Sequence, residues 1–367
     1  MKRVIIAPDS FKQTLSAVQV CEIVSEQLKQ SYPDIHIDCV PVADGGEGTV
    51  DAFLFSVGGE KVYSKVKSPL GNDITAYYGI LPDGSAIIEM AQASGIATEK
   101  ANDPLKSSTY GTGQLILHAV KNGAEKIYIG IGGSATTDGG TGCLSALGVK
   151  FTKEKGEEIP LGGEGLPQIK NIDISGLDED VRNCTITVLC DVKNPLYGKN
   201  GAAYIYAPQK GADEEQVKFL DKGLMNLAEK AEECLGCDYS SLEGAGAAGG
   251  LGFGLVAFLG AQLKRGVDTV LEATGFEAKA QKADLVITGE GKMDAQSLMG
   301  KVPFGVASKS IGTKVIAIVG VSEVDTRQSS KYGIEEIIET NPLHLPFEKI
   351  KHNARQMLTE ACAKISL

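Results

Sequence analysis

The chain has 367 residues, a length that predicts two domains rather than one small core. Its hydrophobic and charged fractions, 43% and 23%, are those of a globular protein and exclude a disordered chain. The net charge of -11 argues against nucleic acid or an anionic membrane as the main partner, because both attract basic surfaces. No secretion signal or membrane-length apolar run is visible, so we expect a cytoplasmic protein.

The chain opens with a pattern that is typical of a doubly wound sheet. Residues 3–7 form a short apolar strand of the kind that is buried on both faces. Ser16 and Gln19 have the spacing of a helix-capping box, and an apolar stripe at helical spacing follows them. A second strand is predicted at residues 36–42 and a helix at residues 49–56.

The middle of the chain has a different pattern. Residues 61–67, 73–80 and 85–90 predict antiparallel strands, with Pro82-Asp83-Gly84 as a turn. The elements predicted further along are a helix at 113–121, strands at 126–131 and 185–190, and a segment at 202–207.

Short apolar strands return near the C-terminus, at residues 284–288, 314–319 and 335–339. Together with the two N-terminal strands they make five, the number that a flavodoxin-like sheet needs. We therefore predict an α/β fold with two domains. A discontinuous flavodoxin-like parallel-sheet domain would comprise residues 1–64 and 282–367, with a larger mixed α/β domain, residues 65–281, inserted into it.

Three charged loops follow strands of the predicted five-stranded sheet. They are Asp9-Ser10-Phe11-Lys12, Asp44-Gly45-Gly46-Glu47-Gly48 and Gly289-Glu290-Gly291-Lys292-Met293-Asp294. Ligands bind beyond the carboxyl ends of the strands in open α/β sheets, so we expect these loops to converge on one edge. Each loop alone would suit an ordinary turn, since acidic residues beside glycine are common there. Three such loops on one edge indicate a functional site.

Two glycine-rich runs lie in the predicted insertion. Residues 130–140, Gly-Ile-Gly-Gly-Ser-Ala-Thr-Thr-Asp-Gly-Gly, follow a predicted strand and offer N–H and hydroxyl groups to an anion. Residues 130–135 match G-x-G-x-x-A, and residues 244–249 match G-x-G-x-x-G. The second match follows a polar stretch rather than a strand, so dinucleotide binding is disfavoured. Asp191 follows another predicted strand, where a base or a metal ligand would be well placed.

Seven motifs, in this order along the chain, resemble the type I glycerate kinases. They are Asp9-Ser-Phe-Lys12, Pro41-Val-Ala-Asp-Gly-Gly-Glu-Gly48, the run at 130–140, Cys190-Asp-Val-Lys-Asn-Pro-Leu196, Pro208-Gln-Lys-Gly-Ala212, Gly244-Ala-Gly-Ala-Ala-Gly-Gly250 and Thr288-Gly-Glu-Gly-Lys-Met-Asp294. The resemblance implies two α/β domains, ATP with Mg²⁺, and D-glycerate as the phosphoryl acceptor. It implies 2-phosphoglycerate as the commoner product, ahead of 3-phosphoglycerate. The last twenty residues match no motif.

Phosphoryl transfer needs a proton acceptor, cations for the phosphate oxygens and a metal ion. We predict Asp191 as the proton acceptor, with Lys12 and Lys292 neutralising phosphate or substrate charge. The residues predicted to bind substrate or phosphate are Asp9, Ser10, Gly132, Gly133, Ser134, Thr137, Lys210, Gly289 and Gly291. The candidates for holding Mg²⁺ through water are Asp44, Glu47, Glu290 and Asp294.

Other functions stay open at this point. The glycine patterns would also suit a nucleotide-dependent oxidoreductase, and a two-domain fold would suit a ligand-binding protein without catalysis. Another hydroxy-acid kinase on the same fold is a third alternative. A P-loop enzyme is excluded, because each of the Gly-Lys pairs at 198, 291 and 300 lacks the following Ser or Thr of G-x-x-x-x-G-K-[ST]. The sequence leaves the oligomeric state, the regulation and the domain that binds adenine undetermined.

Overall fold

The computed structural model of the chain describes residues 2–99, 102–295 and 297–367. Its strands, in chain order, are β1 (Arg3–Pro8), β2 (His36–Cys39), β3 (Glu60–Lys67), β4 (Asp73–Ile80), β5 (Ala86–Glu89), β6 (Lys126–Gly130), β7 (Lys150–Thr152), β8 (Asn171–Asp173), β9 (Thr185–Leu189), β10 (Gln262–Lys264), β11 (Leu285–Met293), β12 (Lys314–Ser322) and β13 (Glu336–Glu339).

The helices connect these strands. In chain order they are α1 (Ala17–Ser31), α2 (Thr49–Val57), α3 (Ala91–Ser94), α4 (Tyr110–Lys121), α5 (Thr141–Ala146), α6 (Glu179–Asn183), α7 (Ala202–Tyr206), α8 (Glu214–Leu235), α9 (Ala247–Leu259), α10 (Gly266–Ala273), α11 (Phe276–Ala280), α12 (Val302–Ser308), α13 (Thr326–Ser330), α14 (Phe347–Ile350) and α15 (Ala354–Cys362). Short 3₁₀ turns occur at Ile96–Thr98, Gly163–Gln168, Pro208–Lys210 and Ser297–Met299. No helix within the described ranges is both long and apolar enough to cross a bilayer.

The chain divides into two compact units. The first comprises Met1–Asp44, Asp51–Gly58 and Gly266–Leu367, and the second comprises Gly45–Val50 and Gly59–Arg265. The domain boundaries expected from the sequence, after residues 64 and 281, stay predictions.

The first unit is built on a five-stranded parallel sheet of order β13-β12-β11-β1-β2. Counted along this unit, that is the strand order of flavodoxin-like folds, and the order reverses between β1 and β11. Residues 4–7 of β1 are fully buried, as their wholly apolar pattern predicts. Ser16 caps α1, and Gln19 completes the predicted capping box, so this helix begins where the sequence indicates.

One prediction for this sheet is wrong. Residues 289–293 were expected to be loop, but β11 continues through them and pairs with β12 as far as Met293 and Ser322. Glycine is a poor strand former, so Gly289 and Gly291 argue for a loop when the sequence is considered alone. In the sheet Gly289 is required for space, because a Cβ there would lie 2.1 Å from the carbonyl oxygen of Ile318.

The second unit contains a mixed six-stranded sheet of order β10-β9-β6-β5-β4-β3. Strands β3, β4 and β5 are antiparallel, as predicted, while β5, β6, β9 and β10 run parallel. A separate antiparallel pair joins β7 and β8. The segment predicted at 202–207 is helical, as α7. One parallel unit and one mixed unit confirm the predicted α/β fold class.

Candidate active site

A cavity of about 360 Å³ opens in the first unit at the carboxyl ends of β1, β11 and β12. It lies at the point where the strand order reverses, which is where open α/β sheets bind ligands. The charged residues that line it are Asp9, Lys12, Asp44, Glu290, Lys292, Asp294 and Lys301. Ser10 and Gly291 also line it. The structure therefore brings together many of the residues that the sequence singled out, and their roles stay predictions.

The turn after β1 is fixed by backbone hydrogen bonds. The Asp9 N–H donates to the carbonyl of Gly289 at 2.8 Å, and the Ser10 N–H donates to Asp9 Oδ1 at 2.6 Å. Phe11 and Leu15 exchange two backbone hydrogen bonds across a tight loop, in which Gln13 has a φ of 65°. Asp9 is thereby held at the cavity by the sheet itself.

One glycine that lines the cavity is required by the packing of neighbouring strands. A Cβ at Gly320 of β12 would lie 2.2 Å from the carbonyl oxygen of Gly291 on β11. Real side chains do not make such a contact, so β11 and β12 approach closely only because position 320 has no side chain. The packing requirement for glycine therefore falls on position 320, whose strand lies beside the Gly-Glu-Gly run of β11.

Two carboxyl groups in the cavity have strongly raised pKa values. Burial raises the pKa of Asp9 to about 7, and the nearby charge of Asp44 adds to the effect. Burial also raises the pKa of Glu290 to about 7, opposed by its hydrogen bond with Ser297. Glu290 Oε1 is buried and has no hydrogen-bond partner in the part of the chain that the structure describes. A buried carboxylate oxygen without a partner is costly unless a ligand or ion satisfies it.

The cations of the cavity differ in how far they are engaged. Lys12 Nζ lies 3.9 Å from Asp44 Oδ2, and its side chain is mostly exposed. Lys292 Nζ lies 2.7 Å from Glu323 Oε1, which raises the lysine pKa. Lys301 also lines the cavity, and its charge acts on Glu290. The negative charge of the carboxylates in the cavity is thus partly balanced by these lysines before any ligand binds.

The acidic residues fit Mg²⁺ of the kind that accompanies nucleotides. No three His, Cys, Asp or Glu side chains form a ready metal cage among the described residues. Magnesium, however, commonly uses one or two carboxylates together with water and substrate phosphates. The unsatisfied oxygen of Glu290, beside the charge of Asp294, offers such a ligand. The predicted metal candidate Glu47 is different, because it is exposed in the segment Gly45–Val50 of the second unit.

Part of the lining of the cavity is apolar, and it was missed from the sequence. The missed residues are Val321, Phe347, Ile350, Ala354 and Met357. Four of them lie at 347, 350, 354 and 357, a spacing that marks one face of a helix. That periodicity was the available signal, although these residues belong to none of the seven motifs.

The glycine-rich run in the second unit leads from β6 to α5, as its sequence predicts. Ser134 is half-buried and Gly133 is exposed, whereas Thr137 is fully buried. The Gly132 N–H donates to the carbonyl of Gly45 at 3.0 Å, so this donor already has a protein partner. The Thr137 hydroxyl has no hydrogen-bond partner among the described residues. Phosphate binding by these residues stays a prediction.

Beneath this run lies a closed polar network that the sequence did not reveal. Asp138 is fully buried and accepts from the N–H and the hydroxyl of Thr109, both at 2.8 Å. The N–H groups of Gly140 and Gly142 also donate to it. Burial raises the pKa of Asp138, and these hydrogen bonds oppose the rise. Such a network fixes the shape of the loop.

Lys210, a predicted phosphate ligand, belongs to the same interior. It is buried, and its Nζ donates to Ser134 Oγ at 2.9 Å and to the Thr136 carbonyl at 2.6 Å. Burial lowers its pKa to about 7, although the charge of Asp138 opposes the shift. In this conformation Lys210 supports the glycine-rich run from inside.

Asp191, the predicted proton acceptor, directly follows β9 in the second unit and is exposed. The chain around it is held by Asn194, whose Oδ1 accepts from the Tyr206 hydroxyl at 2.6 Å. Lys193 pairs with Glu243 at 3.2 Å. Asp191 therefore occupies the strand-end position that the sequence indicates.

Residues 4–367 match the sequence profile of the glycerate kinase family. The chain belongs to this family. A glycerate kinase of Bacillus subtilis (strain 168) is 44% identical over 370 residues, 99% of this chain and 97% of that protein. The glycerate 2-kinase of Escherichia coli (strain K12) is 46% identical over 340 residues, 91% and 89% of the two chains. The crystal structure of a glycerate kinase 2 from Salmonella typhimurium LT2 matches with a TM-score of 0.84 at 42% identity, over 99% of this chain and 97% of that one.

Membership in the glycerate kinase family confirms the resemblance drawn from the seven motifs. The chain is a kinase, a phosphotransferase with an alcohol group as acceptor. A kinase family implies ATP as co-substrate and small molecules as ligands. The oxidoreductase and the binding protein without catalysis, which the sequence alone left open, are thereby set aside.

Proposed function

We propose that this chain transfers the γ-phosphoryl group of ATP to the C2 hydroxyl of D-glycerate, giving 2-phosphoglycerate. The observation that carries the proposal is the cavity of the first unit, where lysines and carboxylates meet at the strand-order reversal. Phosphoryl transfer depends on positioning and on charge neutralisation, and this cavity supplies groups for both. The name of the Escherichia coli relative, glycerate 2-kinase, supports C2 over C3.

Mg²⁺ would be held by Glu290 and Asp294, with Asp44 as a further candidate. When bound, the ion would neutralise charge on the phosphate oxygens and orient them. Lys12 and Lys292 remain the proposed cations for phosphate or for the glycerate carboxylate. Glu47 is the weakest of the proposed metal ligands, since it does not line this cavity.

The proton of the reacting hydroxyl has two candidate acceptors. Asp191 is the candidate from the sequence. Asp9 is the candidate that the cavity favours, because it is buried there and its pKa of about 7 suits a base at neutral pH. The two carboxylates differ in surroundings, so replacing each in turn by asparagine distinguishes them.

The test of the function is ADP release by the purified protein with ATP, Mg²⁺ and D-glycerate, measured in a coupled assay. L-lactate and a reaction without acceptor are the controls, and phosphorus NMR identifies the product. We expect ADP release that depends on glycerate and a phosphate on C2. A phosphate on C3 would keep the kinase and correct the regiochemistry. No turnover with glycerate would contradict the proposed substrate and favour another small hydroxy acid.

The cytoplasmic location expected from the sequence stays a prediction, which fractionation of the source cells would test.

A further inference from the structure

The lining of the cavity in the first unit combines two chemically different kinds of side chain. One kind is charged: it includes the buried carboxyl groups of Asp9 and Glu290 and the exposed Lys12. The other kind is apolar: Phe347 and Met357 line the cavity together with Val321 of β12, and we call these residues, with Ile350, the apolar wall. A three-carbon hydroxy acid has too little apolar surface to cover such a wall. The wall therefore needs an explanation beyond the acceptor substrate.

The apolar wall is anchored to the fold. The Asn341 N–H donates to the Gly320 carbonyl at 2.9 Å, which ties the chain after β13 to β12. The side chain of Asn341 makes two hydrogen bonds to the backbone of Leu345, at 2.9 and 3.1 Å. In α15 the neighbour of Met357, Leu358, is fully buried in the core. The wall is thus a built surface and not a loose chain end.

The size of the cavity also favours a ligand larger than glycerate. Its volume, about 360 Å³, falls within the range of roughly 300–1,000 Å³ of sites for cofactor-sized molecules. Such sites combine apolar surface with placed polar groups, and this cavity has both. The flat purine is the part of ATP that suits an apolar wall containing an aromatic ring, because stacking removes the touching faces of both rings from water.

We infer that the apolar wall of Val321, Phe347, Ile350 and Met357 is the subsite for the adenosine of ATP. The phosphates then extend toward Lys12, Lys301 and the carboxylates that suit Mg²⁺. The assignment places the nucleotide in the first unit. It rests on the proposed function only in taking ATP as the phosphoryl donor, and it is independent of which hydroxyl is phosphorylated.

The first test is an NMR titration with ADP of protein labelled with ¹³C at its methionine methyl groups. The chain has six methionines, which gives a simple spectrum. We expect the Met357 signal, assigned by its loss in Met357→Leu, to shift on addition of ADP because a purine ring lies close. Pyrophosphate with Mg²⁺ should shift it far less. An unmoved Met357 signal under saturating ADP would overturn the inference.

The second test is calorimetry of ADP binding to Phe347→Ala, a residue exposed enough to be replaced without unfolding the protein. We expect binding to weaken about tenfold, since an aromatic stacking partner is lost. Leu343→Ala is the matched control, because Leu343 is 79% exposed in the same segment and does not line the cavity. Pyrophosphate should bind both variants like the wild type.

The outcomes separate this inference from the proposed function. Unchanged ADP affinity in Phe347→Ala, with normal turnover of glycerate, would overturn the adenosine subsite and leave the kinase standing. A raised KM for glycerate with unchanged ADP binding would assign the wall to the acceptor and also overturn it. Weakened ADP binding in a protein that does not turn over glycerate would support the subsite and contradict the substrate.

Discussion

Both units bury ionisable groups, but they treat them differently. In the second unit Asp138 receives hydrogen bonds from Thr109, Gly140 and Gly142, and Lys210 is held by two oxygens. In the first unit Glu290 has a buried oxygen without a partner in the described part of the chain, at the edge of a cavity. A satisfied buried charge stabilises a conformation, whereas an unsatisfied one beside a cavity is suited to a ligand.

This contrast distinguishes a residue that positions a loop from a residue that meets a ligand, which the sequence alone could not do. Asp138 and Glu290 both stand beside glycine in a conspicuous motif, and both are buried. Their hydrogen-bond partners and the cavity beside Glu290 distinguish them. We therefore interpret Asp138 as a residue that positions the glycine-rich run, and Glu290 as one that meets the ligand.

The largest expected effect is on Asp9. Asp9→Asn should lower kcat by about 10²–10⁴-fold, the usual contribution of a general base, while leaving the protein folded. Steady-state kinetics with circular dichroism as the folding check would measure this. Asp191→Asn is the matched variant from the second unit. If Asp191→Asn loses more activity than Asp9→Asn, the proton acceptor is Asp191. The second unit would then supply a catalytic carboxylate as well.

A second prediction concerns the closed network. Asp138→Ala would leave several buried donors without an acceptor, so we expect the free energy of unfolding to fall by about 3 kcal/mol. Asp173→Ala is the control, since Asp173 accepts from the Ser175 N–H on the surface, and its loss should have a much smaller effect. Urea unfolding would measure both. Equal losses for the two variants would show that the network contributes no more than an exposed turn.

A third prediction has the opposite sign. The pKa of Glu290 rises from 4.5 to about 7 on folding, so the folded state binds more protons than the unfolded one between these pH values. Stability is therefore lost as the pH rises through that window. Glu290→Gln mimics the protonated carboxyl and should stabilise the protein by about 1–3 kcal/mol above pH 7, and hardly at all below pH 4.5.

Thermal unfolding of Glu290→Gln in EDTA across this pH range is the measurement, because Mg²⁺ would stabilise the wild type by binding. The same variant should lose activity, because it replaces a buried functional carboxylate, which destabilises the fold, by a neutral amide. A variant that is less stable than the wild type at neutral pH would show that the Glu290 carboxylate is satisfied in solution.

Much of the fold followed from local patterns. The apolar strand at residues 3–7 and the box of Ser16 and Gln19 depend on short-range physics, and they were placed correctly. The continuation of β11 through Gly289 was not predicted, because the backbone pairing that stabilises it exists only when β12 lies alongside. Tertiary contact overrides a weak local preference there.

The candidate site was predictable where chemistry and a strand end coincide in sequence. Asp9 and Glu290 met that condition, and they line one cavity. Phe347 and Met357 did not meet that condition, since an apolar spacing of the helical kind predicts only burial and gives no information about a ligand. The hydrogen bond between Thr109 and Asp138 could not be predicted either, because the two residues are far apart in the sequence and meet only in the folded structure.

The smallest expected effects concern the two lysines of the cavity. Lys12→Ala removes a side chain that only loosely approaches Asp44, whereas Lys292→Ala removes one that pairs with Glu323 on the surface. Exposed ion pairs contribute little to stability, so Tm should stay within error for both variants. If the lysines neutralise phosphate, the KM for ATP should rise several-fold and depend more weakly on salt.

Glu323→Gln is the control, since it frees Lys292 without removing its charge. A KM that rises in Glu323→Gln as much as in Lys292→Ala would mean that the pair, and not the cation, positions the ligand.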